Sequence, residues 1–302
     1  MPEVPPATDD PRDALDLTIL LPCYDEQEAI GPVIRELRDA MAGWPGAWEI
    51  LVVDDASRDA SAARAEAAGV RVVRRVQNGG AGAARKTGIR EARGRLVAMI
   101  DADGTYPAKH LPELLSHFPE WDQVNGARTS EQGTMRWLRT PAKWTIRKLG
   151  EWIAGRRIPD LNTGMKVFKR EQMQHYLWAI PDGFSCVSSM TLAFLCNGHA
   201  VRWEPIEYRT RIGQSKFHPV RDAAKYLATV VRIVMYFRPL RVFLPLALGV
   251  AGLGALKAFY SWRISDKHTL QESDIVILLA AVMIGVVGLL ADLIVAQRRE
   301  IR

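Results

Sequence analysis

The chain has 302 residues, 48% of them hydrophobic, and its 40 basic and 34 acidic side chains give a formal net charge of +6. This length allows one α/β domain of ~200 residues and a smaller second part. The basic balance suits nucleic acid, anionic lipid or phosphorylated substrates and does not choose between them. The cysteines, Cys23, Cys186 and Cys196, fit neither a disulfide framework nor a zinc pattern, so we expect a reducing, cytosolic environment.

Residues 1–16 are predicted to be a flexible tail. They are rich in proline and acidic residues, and they lack the basic and apolar segments of a signal peptide. Beyond them, short apolar runs alternate with stretches of helical spacing. We predict strands at 17–21, 49–53, 70–73 and 96–100 and helices at 26–41, 59–68 and 83–92. This alternation predicts an α/β fold with a doubly wound, mostly parallel sheet.

Polar residues gather where the predicted strands end. These residues are Tyr24 and Glu26, then Asp54 and Asp55, then Asp101 and Asp103. Because ligands of doubly wound sheets bind at the carboxyl ends of the strands, the three groups predict one site. Asp101 and Asp103 are two residues apart in a turn, so both carboxylates can face one Mg²⁺ or Mn²⁺ ion. Such an ion acts as a Lewis acid on a leaving diphosphate.

Two of these features allow a second interpretation. Asp54 and Asp55 either form a turn and cap the next helix, or accept hydrogen bonds from a nucleoside. The loop at 78–82 (NGGAG) follows the third strand, whereas a dinucleotide-binding fingerprint would follow the first. This loop is either a close approach of the backbone to a donor substrate, beside Arg85 and Lys86, or a simple turn.

The stretch 128–157 is strongly basic, with Trp137, Trp144 and Trp152 between its charges. One interpretation is a solvated helix whose tryptophans lie in the core. The other is an amphipathic segment at a membrane surface that receives an anionic lipid head group.

The C-terminal part of the chain is more apolar. Runs at 242–262 and 275–296 are each long enough for a spanning helix of ~20 residues, and a helical hairpin in a soluble core is the alternative. Basic residues flank the pair on its outer sides, so the positive-inside rule places both chain ends in the cytoplasm. We predict a main domain at 17–216, an amphipathic juxtamembrane helix at 217–240 and a two-helix membrane anchor at 241–302.

Several motifs together resemble the family 2 glycosyltransferases with the GT-A fold. They are residues 17–26 (LTILLPCYDE), 52–57 (VVDDAS), the loop at 78–88 and Asp101-Ala102-Asp103. Residues 160–168 (DLNTGMKVF) and 213–216 (GQSK) resemble the narrower group of polyprenyl-phosphate glycosyltransferases, which includes the dolichol-phosphate mannose synthases. The two C-terminal spans resemble those that many members carry.

The resemblance implies inverting transfer of a hexose from a nucleotide-diphosphate sugar, of GDP-mannose or UDP-glucose type, to a polyprenyl monophosphate. The implied nucleotide-binding residues are Pro22, Tyr24, Glu26, Val53, Asp54, Asp55, Asp101 and Ala102. The implied metal ligands are Asp101 and Asp103. Arg209, Arg211 and Lys216 would hold the donor phosphates, and Arg128 and Arg147 the acceptor phosphate. Many members carry a glutamine shortly after the second aspartate as a further metal ligand, where this sequence has Thr105 and Tyr106.

A lipid phosphate, with a second pKa of ~6, is mostly dianionic at neutral pH and needs no strong general base. Asp103 and Asp160 are the candidate catalytic carboxylates. The alternative role of Asp160 is to hold the turn at 162–164. Two other functions remain open: a transferase of the same fold acting on a saccharide, which needs a general base, and a non-catalytic nucleotide-sugar-binding membrane protein. Nucleic acid is not an expected partner, and a homo-oligomer is compatible with spans of this size.

Overall fold

The computed structural model describes residues 15–129, 148, 150–152, 155–183, 185–211, 235–236, 238–264 and 271–300. The chain divides into two compact units, the first reaching Val230 and the second beginning at Val231. Most of the predicted juxtamembrane helix at 217–240 lies outside the described residues, as do Arg147 and Lys216. Those predictions therefore stay predictions.

The first unit alternates strands and helices along the chain. Its elements are β1 (Leu15–Cys23), α1 (Ile30–Met41), β2 (Trp48–Asp54), α2 (Ser61–Ala67), β3 (Arg71–Arg74), α3 (Ala81–Glu91), β4 (Gly94–Met99), α4 (Leu111–Leu115), β5 (Gln123–Arg128), β6 (Lys166–Lys169), α5 (Arg170–Gln174), α6 (Cys186–Cys196) and β7 (Val201–Ile206). Short 3-10 turns lie at Ala108–His110 and Leu177–Ala179.

The strands form one seven-stranded sheet in the order β3-β2-β1-β4-β6-β5-β7. The first four strands in that order are mutually parallel. β6 runs antiparallel to both of its neighbours, and β5 and β7 pair in parallel. The prediction of a mostly parallel sheet is confirmed. The register places Cys23 opposite Asp54 and Leu20 opposite Met99, so β1, β2 and β4 end at one edge.

Apolar side chains hold the helices on this sheet. The residues of α1 that face inward are Ile30, Val33, Ile34, Leu37 and Met41, which follow the three- and four-residue spacing of an amphipathic helix. They pack in one core with Leu17, Ile19 and Leu21 of β1, each of them fully buried. Strand β1 needs to be apolar on both faces because helices cover both sides of a parallel sheet.

Several predicted boundaries were wrong by two residues or more. Strand β1 begins at Leu15, inside the predicted tail, and α1 begins at Ile30 and not at residue 26. In the segment before α1, backbone N–H groups donate to side chains of the loop after β2 and of the first residue of α2. Asp25 N donates to Ser57 Oγ at 3.0 Å, and Glu26 N donates to Ser61 Oγ at 2.8 Å.

The second unit contains two long helices, α7 (Leu240–Ile264) and α8 (Glu272–Glu300). Both are long and apolar enough to cross a membrane, with mean hydropathies of 1.9 and 2.7, and only 17% of each apolar stretch is buried. A hairpin in a soluble core would be mostly buried, so the exposed faces favour the membrane interpretation. Between the two helices, Lys257 Nζ of α7 lies 2.5 Å from Asp274 Oδ1 of α8.

Candidate functional site

A cavity of about 330 Å³ opens at the edge where β1, β2 and β4 end. The predicted site residues that line it are Pro22, Tyr24, Glu26, Asp55, Asp101, Ala102, Asp103 and Arg211. The other residues that line it are Asn78, Gly80 and Ala81 of the glycine-rich loop, with Cys23, Ala84, Arg85 and Gly183. The fold thus brings together polar groups from three separate strand ends, as the strand-end argument predicted.

Asp101 and Asp103 each have one carboxylate oxygen committed to a neighbour. Asp101 Oδ1 accepts a hydrogen bond from Arg85 Nη2 at 2.5 Å. Asp103 Oδ1 accepts from the backbone N of Thr105 at 3.1 Å and from its Oγ1 at 2.6 Å. Burial, and after it the negative charge of Asp101, raises the pKa of Asp103 above its ordinary value. Two carboxylates that repel each other, the buried Asp103 and the half-buried Asp101, form a place where a cation is stabilising.

The residues present fit a divalent ion. The second oxygens of Asp101 and Asp103 supply the hard ligands that Mg²⁺ and Mn²⁺ prefer. Within the described ranges no group of three or more His, Cys, Asp or Glu side chains could hold a metal. The pair therefore suits an ion that takes its other ligands from a bound phosphate or from water.

The absence of a side chain at Gly164 leaves room for the carboxylate of Asp101. A Cβ atom at residue 164 would lie 2.2 Å from Asp101 Oδ2. The backbone N of Gly164 donates to the phenol oxygen of Tyr106 at 2.7 Å, and burial raises the pKa of that phenol. Tyr106 therefore holds the turn behind Asp101 in its neutral form.

Asp55 fixes the glycine-rich loop. Its Oδ1 accepts from Gly79 N at 3.1 Å and its Oδ2 from Gly80 N at 2.7 Å, and Arg75 forms an ion pair with it. Asp54 is buried, and its Oδ2 accepts from the backbone N of Ser57 at 3.2 Å. The turn-forming role of both aspartates is thus present, and their contact with a nucleoside remains a prediction.

The loop at 78–82 donates its N–H groups to the protein itself. Gly82 N and Ala83 N both donate to the carbonyl oxygen of Asp182, at 2.7 and 3.2 Å. A Cβ atom at Gly82 would lie 2.1 Å from the carbonyl oxygen of Pro181. The glycines therefore allow a close approach of two segments of this chain, which supports the turn interpretation. Asn78, Gly80 and Ala81 line the cavity, and a close approach of this backbone to a donor substrate stays a prediction.

Arg211 points into the cavity, and Arg209 does not. The Arg211 guanidinium pairs with Glu26, and its Nη1 lies 3.5 Å from Asp103 Oδ2. Arg209 Nη1 lies 3.0 Å from Glu36 Oε2, on the outer side of α1. Of these two predicted phosphate ligands, Arg211 is therefore the one beside the acidic pair.

Arg128 and Asp160 face each other away from the cavity lining. Arg128 Nε donates to Asp160 Oδ2 at 2.7 Å, and the guanidinium carbon lies 5.2 Å from the centre of the Tyr208 ring. Asp160 Oδ1 also accepts from Asn162 N at 3.0 Å, so the predicted turn-holding role of Asp160 is present. Val53 is fully buried in β2 and does not line the cavity.

Arg85 is the main site residue whose contact was not predicted. The sequence places it near the loop at 78–82 but gives no indication that its partner is Asp101, sixteen residues later. Cys23 was also missed, because an apolar strand gives no reason to expect a thiol in the cavity. Burial raises the pKa of Cys23 to about 12, so this thiol stays neutral.

Comparison with known proteins identifies relatives. The sequence model of "Glycosyl transferase family 2" matches residues 18–192, and that of the "GtrB C-terminal hairpin" matches residues 238–296. The chain is 28% identical to dodecaprenyl-phosphate galacturonate synthase of Rhizobium johnstonii, over 95% of this chain and 90% of that protein. It is 28% identical to dolichyl-phosphate hexose transferase of Haloferax volcanii, over 73% of this chain and 94% of that protein.

A solved structure shares the fold. Glucosyl-3-phosphoglycerate synthase from Mycobacterium tuberculosis, in complex with Mn²⁺, uridine diphosphate and phosphoglyceric acid, superposes with a TM-score of 0.58. The match covers 72% of this chain and 78% of that one at 18% sequence identity. The predicted GT-A fold is confirmed.

Proposed function

This chain belongs to glycosyl transferase family 2, and from that premise we propose that it transfers a sugar from a nucleotide-diphosphate sugar to the phosphate of a polyprenyl phosphate. The observation that carries the proposal is the acidic pair Asp101 and Asp103, which lies in one cavity with Arg211. Carboxylates for a cation beside an arginine for phosphate are the two features that binding of a diphosphate needs.

The relatives support the acceptor. Two of them are named for dodecaprenyl phosphate and dolichyl phosphate, which are both polyprenyl-type lipids. The C-terminal hairpin that this chain shares with a second family model supplies two helices suited to a membrane. A substrate with a long apolar chain would be held in that membrane, so a membrane-bound enzyme suits it.

On the donor side, Asp101 and Asp103 would hold Mg²⁺ or Mn²⁺, and the ion would supply Lewis-acid stabilisation of the departing diphosphate. Arg211 contributes a second positive charge beside the same carboxylates. Tyr24, Glu26 and Asp55, from two other strand ends, would bind the nucleoside. GDP-mannose and UDP-glucose remain the proposed donor types.

On the acceptor side, we propose that Arg128 receives the lipid phosphate. A phosphate dianion attacks the anomeric carbon without losing a proton, so the protein needs to position it and not to deprotonate it. A guanidinium suits that task because it binds phosphate with forked hydrogen bonds and does not take part in proton transfer. Attack from the side opposite the leaving diphosphate gives inversion at that carbon.

The proposed location is the cytoplasmic face of a membrane. Arg238 and Arg241 flank the start of α7, and Arg298 and Arg299 lie at the end of α8. By the positive-inside rule, positive residues at these outer ends support a catalytic unit on the cytoplasmic side. Nucleotide sugars are cytosolic metabolites, which agrees with that orientation.

The test is a transfer assay on the full chain in nanodiscs. Labelled GDP-mannose, UDP-glucose and UDP-galacturonic acid would each be offered with undecaprenyl or dolichyl phosphate, with Mn²⁺ or with EDTA. We expect one donor to give an organic-soluble labelled product in the presence of Mn²⁺, and this product to disappear with EDTA. A parallel reaction replaces the lipid phosphate with a soluble saccharide, and faster glycosylation of that saccharide than of either lipid phosphate would overturn the proposal.

A further inference from the structure

Arg85 reaches from α3 to two distant segments of the chain. Its Nη2 donates to Asp101 Oδ1 at 2.5 Å, and its Nη1 donates to Cys186 Sγ at 3.0 Å. The side chain is buried, with 7% of it exposed. Its neighbour Lys86 turns outward to Asp182, at 2.5 Å. Of these two adjacent basic side chains, Arg85 is therefore directed at the acidic pair and Lys86 away from it.

The contact with Arg85 leaves Asp101 one carboxylate oxygen, Oδ2, that can bind a metal ion. Oδ1 is held by Arg85, and Oδ2 lies beside Gly164, where a Cβ atom would come within 2.2 Å. The carboxylate is thus confined between a guanidinium and a backbone segment. A carboxylate without such a partner rotates about its terminal bond and can present one oxygen or both. Partners of this kind orient metal ligands and tune the ion they hold.

The charge of Arg85 is permanent. A guanidinium keeps its proton in proteins, so this charge does not depend on pH. A fixed positive charge against Asp101 offsets part of the negative charge that Asp101 and Asp103 present together. Because Arg85 lies against the carboxylate that would hold the ion, its charge repels a divalent cation there and opposes binding of that cation on its own.

We propose that Arg85 is a positioning residue for the cation site: it fixes Asp101 so that one oxygen is presented, and it makes the ion bind well only together with a diphosphate. Its effect on orientation and its effect on charge have different consequences. Loss of orientation lowers the rate of transfer, because a ligand outside its productive geometry places the ion wrongly. Loss of the charge increases the affinity for the bare cation. The rate effect rests on the proposed function, and the affinity effect does not.

The experiment compares Arg85→Gln and Arg85→Lys with wild type and with Arg90→Gln. Arg90 is an exposed arginine near the end of the same helix, so it is a matched control. For each full-chain protein in nanodiscs, free Mn²⁺ is measured by electron paramagnetic resonance, first without nucleotide and then with UDP or GDP. Turnover is measured on the same samples with the donor that wild type uses, and thermal melting confirms folding.

We expect Arg85→Gln to bind Mn²⁺ about tenfold more tightly than wild type without nucleotide and to turn over at least about tenfold more slowly. Arg85→Lys keeps the charge but not the two separate nitrogens. It should bind Mn²⁺ as wild type does and still lose turnover. Arg90→Gln should match wild type in both measurements.

The proposal is overturned if Arg85→Gln folds and binds bare Mn²⁺ no more tightly than wild type, or if its turnover stays within about twofold. If Arg85→Gln does not fold, Arg85→Lys decides, and wild-type turnover in that variant overturns the proposal. Absence of transfer by wild type with every donor would contradict the proposed function instead, and the Mn²⁺ measurement without nucleotide would still test Arg85.

Discussion

The guanidinium of Arg128 lies side-on to the carboxylate of Asp160, with Nε donating to Oδ2 at 2.7 Å and Nη2 donating to Oδ1 at 3.0 Å. Burial alone would raise the pKa of Asp160, but the hydrogen bonds and charge of Arg128 hold that pKa below its ordinary value. A carboxylate with a low pKa is a weak base. The pair therefore supports a role of Asp160 in orienting Arg128. A weak base is a poor candidate for the catalytic carboxylate that the sequence predicted at Asp160.

Replacing Arg128 tests this relationship. In Arg128→Lys the forked pair with Asp160 is lost, and a single ammonium replaces two aligned donors. We expect the KM for the polyprenyl phosphate to rise about tenfold or more while the KM for the donor stays within about twofold, because the change removes an acceptor contact. Initial rates with each substrate varied in turn give both constants.

The control for this prediction is Arg157→Lys, since Arg157 is an exposed arginine in the same basic stretch. An equal effect of both substitutions would indicate a general loss of surface charge. An increase in the KM of the donor alone would place Arg128 on the donor side, contrary to the proposed function.

Gly164→Ala should displace the carboxylate of Asp101 without changing the charge of the acidic pair. The new Cβ atom would meet Asp101 Oδ2 at 2.2 Å, so the carboxylate has to move. We expect turnover to fall at least about tenfold with a modest decrease in melting temperature. Gly43→Ala is the control, because a Cβ atom at Gly43 has no heavy atom within 4 Å. Equal turnover of the two variants would show that Asp101 tolerates displacement.

Asp103→Asn removes one charge from the proposed cation site and keeps an oxygen that can accept from Thr105. We expect transfer to decrease about 100-fold or more with little change in folding, because an amide oxygen is a much weaker ligand for a hard cation. Asp39→Asn, an exposed change in α1, is the control. Turnover and thermal melting are measured for both. Activity of Asp103→Asn near that of wild type would contradict the assignment of Asp103 as a metal ligand.

The helices and strands of the first half of the chain could be predicted because their patterns are local. The spacing of Ile30, Val33 and Leu37 is enough to define the inner face of α1, and the apolar run of β1 is enough to define a buried strand. The contacts of the segment before α1 could not be predicted, because its N–H groups donate to Ser57 and Ser61, more than thirty residues later. Long-range hydrogen bonds of this kind leave no signal in the local sequence.

The candidate site, too, could be predicted only in part. Asp101 and Asp103 could be located from the end of the fourth strand alone, since parallel strands direct their carboxyl ends to one edge. The partners of these acids could not be found, because Arg85 and Gly164 reach the site from a helix and from a turn on separate segments. Strand position predicts where a functional group lies, whereas the groups that orient it depend on the completed fold.

Lys166 is the first residue of β6, and its side chain is fully buried against α6. Its Nζ donates to the carbonyl oxygen of Val187 at 2.8 Å and to Thr191 Oγ1 at 2.9 Å. Burial lowers the pKa of Lys166 from 10.5 to about 7, and Arg85 acts in the same direction while Cys186 opposes it. The neutral amine still donates both hydrogen bonds, so the fold can hold Lys166 without its charge.

This burial predicts that the stability contributed by residue 166 depends on pH. Between about pH 7 and pH 10.5 the unfolded chain binds a proton at Lys166 that the folded protein does not bind. The stability of wild type relative to Lys166→Met therefore rises with pH across that range and levels off below it, where both states are protonated. We expect the melting temperature of Lys166→Met minus that of wild type to decrease steadily from pH 7 to pH 10. The exposed Lys109→Met is the control and should differ from wild type by the same amount at each pH. A difference for Lys166→Met that does not change with pH would show that Lys166 keeps its proton in the folded protein.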